Sequence, residues 1–381
     1  MSVSIPYALS AEITHRCPLH CAYCSNPVEL AKREHELSTQ EWIRVFTEAS
    51  ELGVVQLHLT GGEPLMRPDV DQLIRQAREL GFFVNVITSG VGVTEKRMQQ
   101  LADAGVDSMQ LSVQASEPGL ADAIAGSRAH EFKQKTAALI RAAGIPLHMN
   151  AVLHRQNIHL VDEIIEMCVS WGAVRLELAN TQYYGWALLN RQHLLPTRAQ
   201  LAAAEEAFFR AKARFDRQIE LIWVLPDYYE EFPKPCMGGW GEISMTVTPD
   251  GTVLPCTAAS SIHTLTFESV KERSLEWIWR ESAAFNSFRG FDWMAEPCRS
   301  CEHRFRDFGG CRCQAYLLAG DARQADPVCQ WSPHHELISD ILSSLNQDQD
   351  EPSVTAPHRP VPSYSYRGRF KKNGGMTGDH I

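Results

Sequence analysis

Six alternations of a short apolar run with a helical pattern occupy about residues 8–180, and they constrain the fold more than any other feature of the chain. Helix starts are marked by Ser38, which forms a capping box with Glu41, and by Asp69 and Thr94. The helical patterns stop at glycines. The apolar runs predict strands at 8–14, 54–60, 82–88, 106–114, 145–153 and 174–180. Strands that alternate with helices indicate right-handed βαβ units and a parallel sheet. Six units predict an α/β fold with a partial (β/α)6 barrel, whose chemistry gathers at the C-terminal strand ends.

Composition changes along the chain predict further segments after this barrel (1–180). Residues 181–235 form a bridging region with an Ala-rich helix (197–216) and the apolar run "LIWVL". Residues 236–345 are rich in cysteine, and "MTVTPDGTVLPC" predicts a hairpin that turns at Pro249-Asp250-Gly251. We expect this second, α+β domain to depend on metal for its stability. Residues 346–381 are polar and rich in proline, and we predict a disordered tail.

Bulk composition excludes several classes of partner. The chain has 381 residues, 44 % of them hydrophobic and 22 % charged, and a net charge of −10. That charge argues against nucleic-acid binding, which requires clustered Lys and Arg. No apolar run approaches the roughly 20 residues of a membrane span, and no secretion signal is recognised, so we expect a cytoplasmic protein without a membrane partner.

Three cysteines, Cys17, Cys21 and Cys24, fall in the loop after the first predicted strand. Reduced cytosolic thiols in such a cluster indicate metal ligation. Structural zinc requires four ligands, which His15 or His20 would complete here. A [4Fe–4S] cluster held by three thiolates leaves one iron free to bind another molecule.

The pattern CxxxCxxC, with Tyr23 before the third cysteine, resembles the radical S-adenosylmethionine (SAM) superfamily. A second element of that family, a Gly-Gly-Glu-Pro-like turn after the second strand, is matched by Gly61, Gly62, Glu63 and Pro64. The resemblance implies a [4Fe–4S] cluster on the three cysteines, whose free iron chelates SAM and whose electron cleaves it. It also implies that the turn and Glu63 receive the SAM amino group. Alone, GGEP is more typical of an ordinary tight turn.

Further residues match positions that contact the carboxylate, ribose or adenine of SAM in the family. Each of them is also explained as a satisfied polar residue inside the barrel. They are Ser89, Ser112, Gln114 and Asn150.

The cysteine-rich segment resembles the SPASM extension of radical SAM proteins, which carries two auxiliary iron–sulfur clusters. Asp307 stands where the family pattern has a cysteine, and Cys313 is additional, so seven cysteines and one carboxylate make eight ligands. The family's interleaving implies one cluster on Cys298, Cys301, Asp307 and Cys329, and the other on Cys236, Cys256, Cys311 and Cys313.

Three alternatives stay open for this segment. The cysteines would also suit two structural zinc ions, and Asp307 would also suit a solvated loop. Cys311 and Cys313 would point to opposite faces of a strand, so a shared cluster demands a turn there. Cys168 falls on the apolar side of a helix and is predicted to be a core thiol.

Finer resemblance, in "RCPLHCAYCSNP", "VITSGVG", "LELANTQYYGWAL" and the Asp307 exchange, is to the pyrroloquinoline quinone (PQQ) biosynthesis enzymes that cross-link the peptide PqqA. It implies a carbon–carbon bond between a Glu and a Tyr of PqqA, the peptide chaperone PqqD, and an electron donor such as flavodoxin. Tyr183, Tyr184 and Trp186 are then candidates for a cavity wall, or core residues. His148 and Glu177 are considered for proton transfer, but no catalytic base is assigned. The alternatives are a sulfatase-maturing or thioether-forming relative, and a zinc-stabilised binding protein.

Overall fold

The chain folds into nine strands and fourteen α-helices over residues 3–224, 227–347 and 364–368, the part that the computed structural model describes. The strands are β1 (Ala8–Thr14), β2 (Gln56–Gly61), β3 (Phe83–Thr88), β4 (Ser108–Val113), β5 (Leu147–Leu153), β6 (Arg175–Asn180), β7 (Glu220–Trp223), β8 (Ser244–Val247) and β9 (Val253–Leu254). The helices are α1 (Thr39–Glu51), α2 (Val70–Glu79), α3 (Glu95–Ala104), α4 (Pro118–Ala125), α5 (His130–Ala142), α6 (Val161–Ser170), α7 (Gly185–Leu189), α8 (Arg191–Leu194), α9 (Arg198–Arg214), α10 (Leu275–Glu281), α11 (Ala283–Asn286), α12 (Arg304–Asp307), α13 (Arg312–Ala319) and α14 (Glu336–Gln347). Short 3-10 helices lie at Arg33–His35, Pro64–Met66, Ile158–Leu160, Asp227–Tyr229 and Thr257–Ser261.

The six predicted strands are all present, and they pair in parallel in the order of the chain. The sheet order is β7-β6-β5-β4-β3-β2-β1-β8-β9. The apolar run "LIWVL" of the expected bridging region supplies β7, which pairs in parallel with β6. The predicted α/β fold with a partial parallel barrel is therefore confirmed, and β7 continues the parallel sheet beyond the six predicted strands.

Local helix signals act as the sequence predicts. The Ser38 hydroxyl accepts from the Glu41 N–H while the Glu41 carboxylate accepts from the Ser38 N–H, which closes the capping box of α1. The Thr94 hydroxyl caps α3 by accepting from the Arg97 N–H, and α3 ends at Gly105 with a left-handed φ of 90°. Asp69 precedes α2 without a side-chain capping bond, because its carboxylate is engaged by Arg67 and Thr39.

Two faces of the barrel strands have different tasks. Along β5 and β6, buried residues such as Met149 and Leu178 face outward, where they join the large apolar core between sheet and helices. The alternate residues, such as Asn150 and Glu177, face the barrel interior and are only half-buried. Because side chains alternate along a strand, the apolar face packs in the core and the opposite face carries polar groups toward the barrel interior.

The predicted hairpin is confirmed as β8 and β9, which pair antiparallel. However, β8 also pairs in parallel with β1, so the sheet continues from the barrel into the cysteine-rich region. Trp279 of α10 and Phe285 of α11 belong to the same apolar core as the barrel. The region after residue 236 is therefore joined to the barrel by hydrogen bonds and by packing.

The predicted disordered tail lies mostly outside the described residues, in 348–363 and 369–381. It does not hold for residues 364–368, which pack against the loop of the first three cysteines. Among the helices of the described residues, none combines the length and the apolar character needed to cross a bilayer.

Candidate functional site

Three thiols meet at the mouth of the barrel, as the motif predicts. Cys17, Cys21 and Cys24 lie in the loop after β1 and line one cavity. The loop is held to α4, because the N–H of His20 donates to the carbonyl of Ala125 at 2.9 Å. The thiols of Cys17, Cys21 and Cys24 therefore face the same cavity.

The environment of these thiols favours ligation over free thiol chemistry. Burial raises the pKa of Cys17 to about 11 and that of Cys21 to about 12, and it also raises the pKa of Cys24. Neighbouring thiols add to the effect on Cys17 and Cys21, whereas the cations of Arg367 and Lys133 oppose it. Buried thiols of this kind become thiolates when a metal centre supplies positive charge. The donor set therefore fits an iron–sulfur cluster.

The two histidines that would complete a zinc site are turned elsewhere. His15 accepts the N–H of Ala31 on Nδ1 at 2.9 Å, and its Nε2 lies 3.3 Å from a carboxylate oxygen of Glu12. His20 contacts the carbonyl oxygen of Arg367 at 2.7 Å through Nδ1. These positions disfavour the zinc alternative for this loop.

The GGEP turn is built by close approach to β1 and the cysteine loop. Gly61 has a left-handed φ of 120°, and a Cβ on Gly62 would lie 2.3 Å from the carbonyl oxygen of Arg16. The N–H of Gly62 donates to Thr14 and that of Glu63 to Arg16, both at 2.7 Å. Only residues without a Cβ permit these contacts. The glycines thus fasten the turn to the loop that carries the thiols.

The carboxylate of Glu63 is held by protein donors and is not part of the cavity lining. Its carboxylate accepts four hydrogen bonds from protein donors: the N–H of Leu65 (3.0 Å), the hydroxyl of Thr88 (2.8 Å), and the N–H (2.6 Å) and hydroxyl (2.5 Å) of Ser89. Its residue is 1 % exposed. Four donors use up the acceptor capacity of a carboxylate. Pro64, which opens the 3-10 helix, is also absent from the cavity lining.

The remaining predicted cofactor residues do surround the cavity, whose volume is about 360 Å³. This volume is in the usual range for a small-molecule site. The predicted residues among its lining, besides the three cysteines, are Tyr23, Gly61, Gly62, Ser89, Ser112, Gln114 and Asn150.

Two buried polar atoms of the lining have no hydrogen-bond partner among the described residues. They are Oε1 of Gln114 and Oδ1 of Asn180. The side-chain nitrogen of the same Gln114 amide donates to the Tyr23 hydroxyl at 2.9 Å, which fixes the orientation of the amide. Since a buried acceptor without a donor is costly, these atoms fit a ligand that brings N–H or O–H groups, as a nucleoside does.

A second cavity, of about 190 Å³, adjoins the first. Asn180, Gln182 and Val224 line both of them. The far wall of the second cavity carries Cys236, Cys256 and Cys311. Tyr183 and Tyr184 also line it, whereas Trp186 is 1 % exposed and packs in the core.

The sequence-derived set of Cys236, Cys256, Cys311 and Cys313 comes together in space. The Sγ atoms of Cys256 and Cys313 are 3.9 Å apart, and Cys311 contacts both Cys236 and Cys313. Cys311 is the N-cap of α13 and Cys313 lies in its first turn. The start of this helix supplies the turn that the sequence demanded. The Tyr184 hydroxyl lies 3.0 Å from the Cys311 sulfur.

The other set, Cys298, Cys301, Asp307 and Cys329, lines one small cavity. Burial raises the pKa of the Asp307 carboxyl and of Cys329, and it raises the pKa of Cys298 to about 11. Asp307 is 8 % exposed, so it is not a solvated loop carboxylate. The donors present fit the predicted mixed set.

Asp326 was not singled out from the sequence, although it connects the two sets. Its buried carboxylate accepts from the N–H of Cys311 at 2.7 Å and from Gln314 at 2.9 Å, and it lines the Asp307 cavity. Burial raises its pKa to about 7. A single Asp three residues before Cys329 forms no sequence pattern. Cys168 is fully buried in the main core, as expected of a core thiol.

Family models match both parts of the chain. The model of the radical SAM superfamily matches residues 11–168, and the SPASM model, an iron–sulfur cluster-binding domain, matches residues 236–302. A PqqA peptide cyclase of Streptomyces rochei is 51 % identical over 362 residues, which cover 95 % of this chain and 99 % of the relative.

Solved structures share the fold at lower identity. SuiB of Streptococcus suis bound to S-adenosylmethionine superposes with a TM-score of 0.71 at 21 % identity, over 86 % of this chain and 78 % of that one. SuiB bound to its precursor peptide SuiA gives 0.72 at 21 % identity, over 86 % and 76 %. The enzyme anSMEcpe with bound AdoMet gives 0.62 at 13 % identity, over 90 % and 96 %.

Proposed function

We propose a reaction for this chain from the premise that it belongs to the radical SAM superfamily and, within it, to the PqqA peptide cyclases. The chain cyclises the precursor peptide PqqA by joining the γ-carbon of a glutamate to the ring of a tyrosine, the first step of PQQ biosynthesis. The observation that carries this proposal is the pair of adjoining cavities, with Asn180, Gln182 and Val224 in both linings, between the three-cysteine loop and the second cysteine set.

Cys17, Cys21 and Cys24 would hold a [4Fe–4S] cluster, which when bound supplies the electron that cleaves SAM and so generates the agent that takes hydrogen from the peptide. SAM would occupy the 360 Å³ cavity beside these thiols. Gln114 and Asn180 offer acceptors there to its adenine and ribose groups. Glu63 would act on SAM indirectly, because its carboxylate accepts hydrogen bonds from Ser89 and so positions Ser89 at the cavity wall.

The second cavity would hold the reacting part of the peptide, between the SAM site and the second cysteine set. Its walls include the aromatic rings of Tyr183 and Tyr184, which suit contact with a tyrosine side chain. Asn180 and Gln182 lie at the junction and can bind peptide amides. The peptide would thus contact the SAM site at one end and the second cysteine set at the other.

The overall change removes two hydrogens from the peptide as the carbon–carbon bond forms. One leaves with the SAM-derived nucleoside, and the other leaves as a proton and an electron. Glu177 brings a carboxylate to the cavity lining, opposite Asn150 on the neighbouring strand, and we assign it the proton. An auxiliary cluster on the second cysteine set would supply the acceptor for the electron.

Three finer points belong to the proposal. The eight auxiliary ligands would hold two clusters, which is supported by the way that the predicted residues gather in two sets. The resemblance supports PqqD as the chaperone that presents PqqA, and an electron donor of the flavodoxin type. Sequence similarity to the family is the support for both partners.

The test is an anaerobic incubation of the reduced protein with SAM, PqqA and PqqD. We expect a peptide lighter by two hydrogens, with a Glu–Tyr link in its fragment spectrum. A PqqA variant with Phe in place of the reacting tyrosine is the matched control. SAM cleavage with unmodified PqqA would indicate a sulfatase-maturing or thioether-forming relative, and a colourless zinc protein would contradict the radical chemistry.

A further inference from the structure

Five residues near the end of the chain, Tyr364–Gly368, lie on the loop of the first three cysteines. Asn190 holds their backbone in both directions. Its Oδ1 accepts the Ser365 N–H at 2.8 Å, and its Nδ2 donates to the Ser365 carbonyl at 2.7 Å and to the Ala22 carbonyl, inside the cysteine loop, at 2.8 Å. Asn190 is 2 % exposed. A buried amide therefore joins this segment to the cysteine loop.

Side chains of the segment add to this attachment. Tyr364 packs in a small apolar cluster with Ala22, Ala187 and Leu194, and its hydroxyl is hydrogen-bonded to the Gln156 amide. The ring of His193 contacts the Tyr364 ring edge to face, with centroids 5.7 Å apart. The segment is thus packed like a part of the core.

Arg367 carries the segment into the site. Its guanidinium donates to the carbonyl of His15 at 2.6 Å, and its own carbonyl contacts His20 at 2.7 Å. The positive charge of the guanidinium opposes the rise in pKa that burial causes in the thiols of Cys24 and Cys17. Arg367 lines the SAM cavity and is only 5 % exposed.

A buried guanidinium needs a negative partner. Arginine stays protonated in proteins, and burying a cation is costly unless it is paired. The carbonyl of His15 is a neutral acceptor, whereas the thiols of Cys17 and Cys24 lie close enough for the Arg367 charge to act on them, and ligation would convert them to thiolates. Lys133, 1 % exposed, brings a second cationic group near the Cys21 thiol, with its ammonium bonded to the carbonyls of Ser112 and Ser89. The three cysteines therefore have two cationic side chains beside them.

We propose that residues 364–368 form a C-terminal clasp over the cysteine loop, in which Arg367 is a positioning residue that compensates the charge of the thiolate-bound cluster. This proposal rests on the proposed function, since it presumes a cluster on the three cysteines. A cation beside ligand thiolates stabilises the reduced cluster more than the oxidised one, because reduction adds negative charge. The clasp therefore makes the first electron easier to accept.

The decisive measurement is the midpoint potential of this cluster, identified by the change of its EPR signal when SAM is added. In the full reconstituted protein, Arg367→Gln should lower the ratio of reduced to oxidised cluster at a fixed potential at least tenfold, a shift of about 59 mV toward negative values for a one-electron couple. Arg367→Lys, which keeps the charge, should recover most of the shift. Arg210→Gln removes an equal charge from an exposed position on α9 and should leave the potential unchanged.

The docking of the clasp has its own readout. Trypsin requires the arginine side chain, so native protein should resist cleavage after Arg367, whereas unfolded protein should be cut there. Rapid cleavage of the native protein after Arg367, a reduced-to-oxidised ratio in Arg367→Gln within twofold of that of the unmodified chain, or an equal shift in Arg210→Gln would each overturn the clasp. If the unmodified protein holds no reducible cluster and does not cleave SAM, the proposed function itself fails.

Discussion

Replacing Glu63 by glutamine tests whether its carboxylate stabilises the structure of the site or binds SAM directly. Four protein donors converge on its carboxylate, two on each oxygen. Glutamine keeps the shape but offers one oxygen and one NH2 group. In either orientation of the amide, a backbone N–H, that of Leu65 or that of Ser89, loses its acceptor and faces another donor.

The size of the effect follows from these bonds. A buried N–H without an acceptor costs about 1–3 kcal/mol. Two remaining bonds change from charge-assisted to neutral, which roughly halves their strength and removes about 1 kcal/mol each. The sum is on the order of 3–5 kcal/mol, and at about 2–4 °C per kcal/mol for a barrel of this size the Tm should fall by on the order of 10 °C.

The assay is thermal unfolding followed by circular dichroism, on protein of equal cluster content, because cluster-bound, multi-part proteins do not unfold in one step. SAM affinity is measured in parallel by equilibrium dialysis. For Glu63→Gln we expect the Tm and the affinity to fall together, since Ser89 moves from the cavity wall. Glu177→Gln, the same exchange at a half-buried cavity residue, should leave the Tm unchanged. An unaltered Tm with weakened SAM binding in Glu63→Gln would refute the stabilising role and make the carboxylate a direct SAM ligand.

Three further outcomes follow from the structure. Gly62→Ala should lower the Tm by several °C in the same unfolding assay, because the added Cβ would lie 2.3 Å from a carbonyl oxygen. Gly119→Ala, which has open space around the added Cβ, should leave the Tm unchanged. Equal Tm values for the two variants would contradict this packing. Asp307→Ala should lower the iron and acid-labile sulfide content of the protein, and Asp307→Cys should restore it, unless Asp307 is no ligand, in which case neither changes the content. Tyr184→Phe removes the hydroxyl beside the Cys311 sulfur and should raise the ratio of 5′-deoxyadenosine to cross-linked peptide several-fold. Tyr183→Phe should leave this ratio unchanged. Equal ratios in the two variants would exclude a role for the Tyr184–Cys311 contact.

Much of the site was accessible from local sequence pattern. The three thiols lie four and three residues apart in one loop, so their proximity follows from chain connectivity alone. The capping box at Ser38 and the left-handed Gly105 likewise depend on neighbours within a few residues. Interactions of this range are encoded where they occur, and the predicted strands and helices follow from them.

Other features depend on residues that are distant in the chain. Glu63 matched a ligand motif, yet the donors from Thr88 and Ser89 on the neighbouring strand satisfy it. Asp326 stands in no motif and joins two cysteine sets through a backbone N–H. A motif specifies residue types, whereas the use of a carboxylate depends on which donors the fold brings to it.

The sequence by itself determined a parallel α/β barrel, the thiol donors and the family, because the period of apolar residues and the spacing of cysteines are properties of short stretches. Only the tertiary structure decided that β8 extends the barrel sheet and that Arg367 enters the site from 343 residues beyond Cys24. The physical reason is that such contacts leave no periodic trace in the chain. They exist because a folded surface offers a buried amide, an apolar pocket and a concentration of thiols that a distant segment can satisfy.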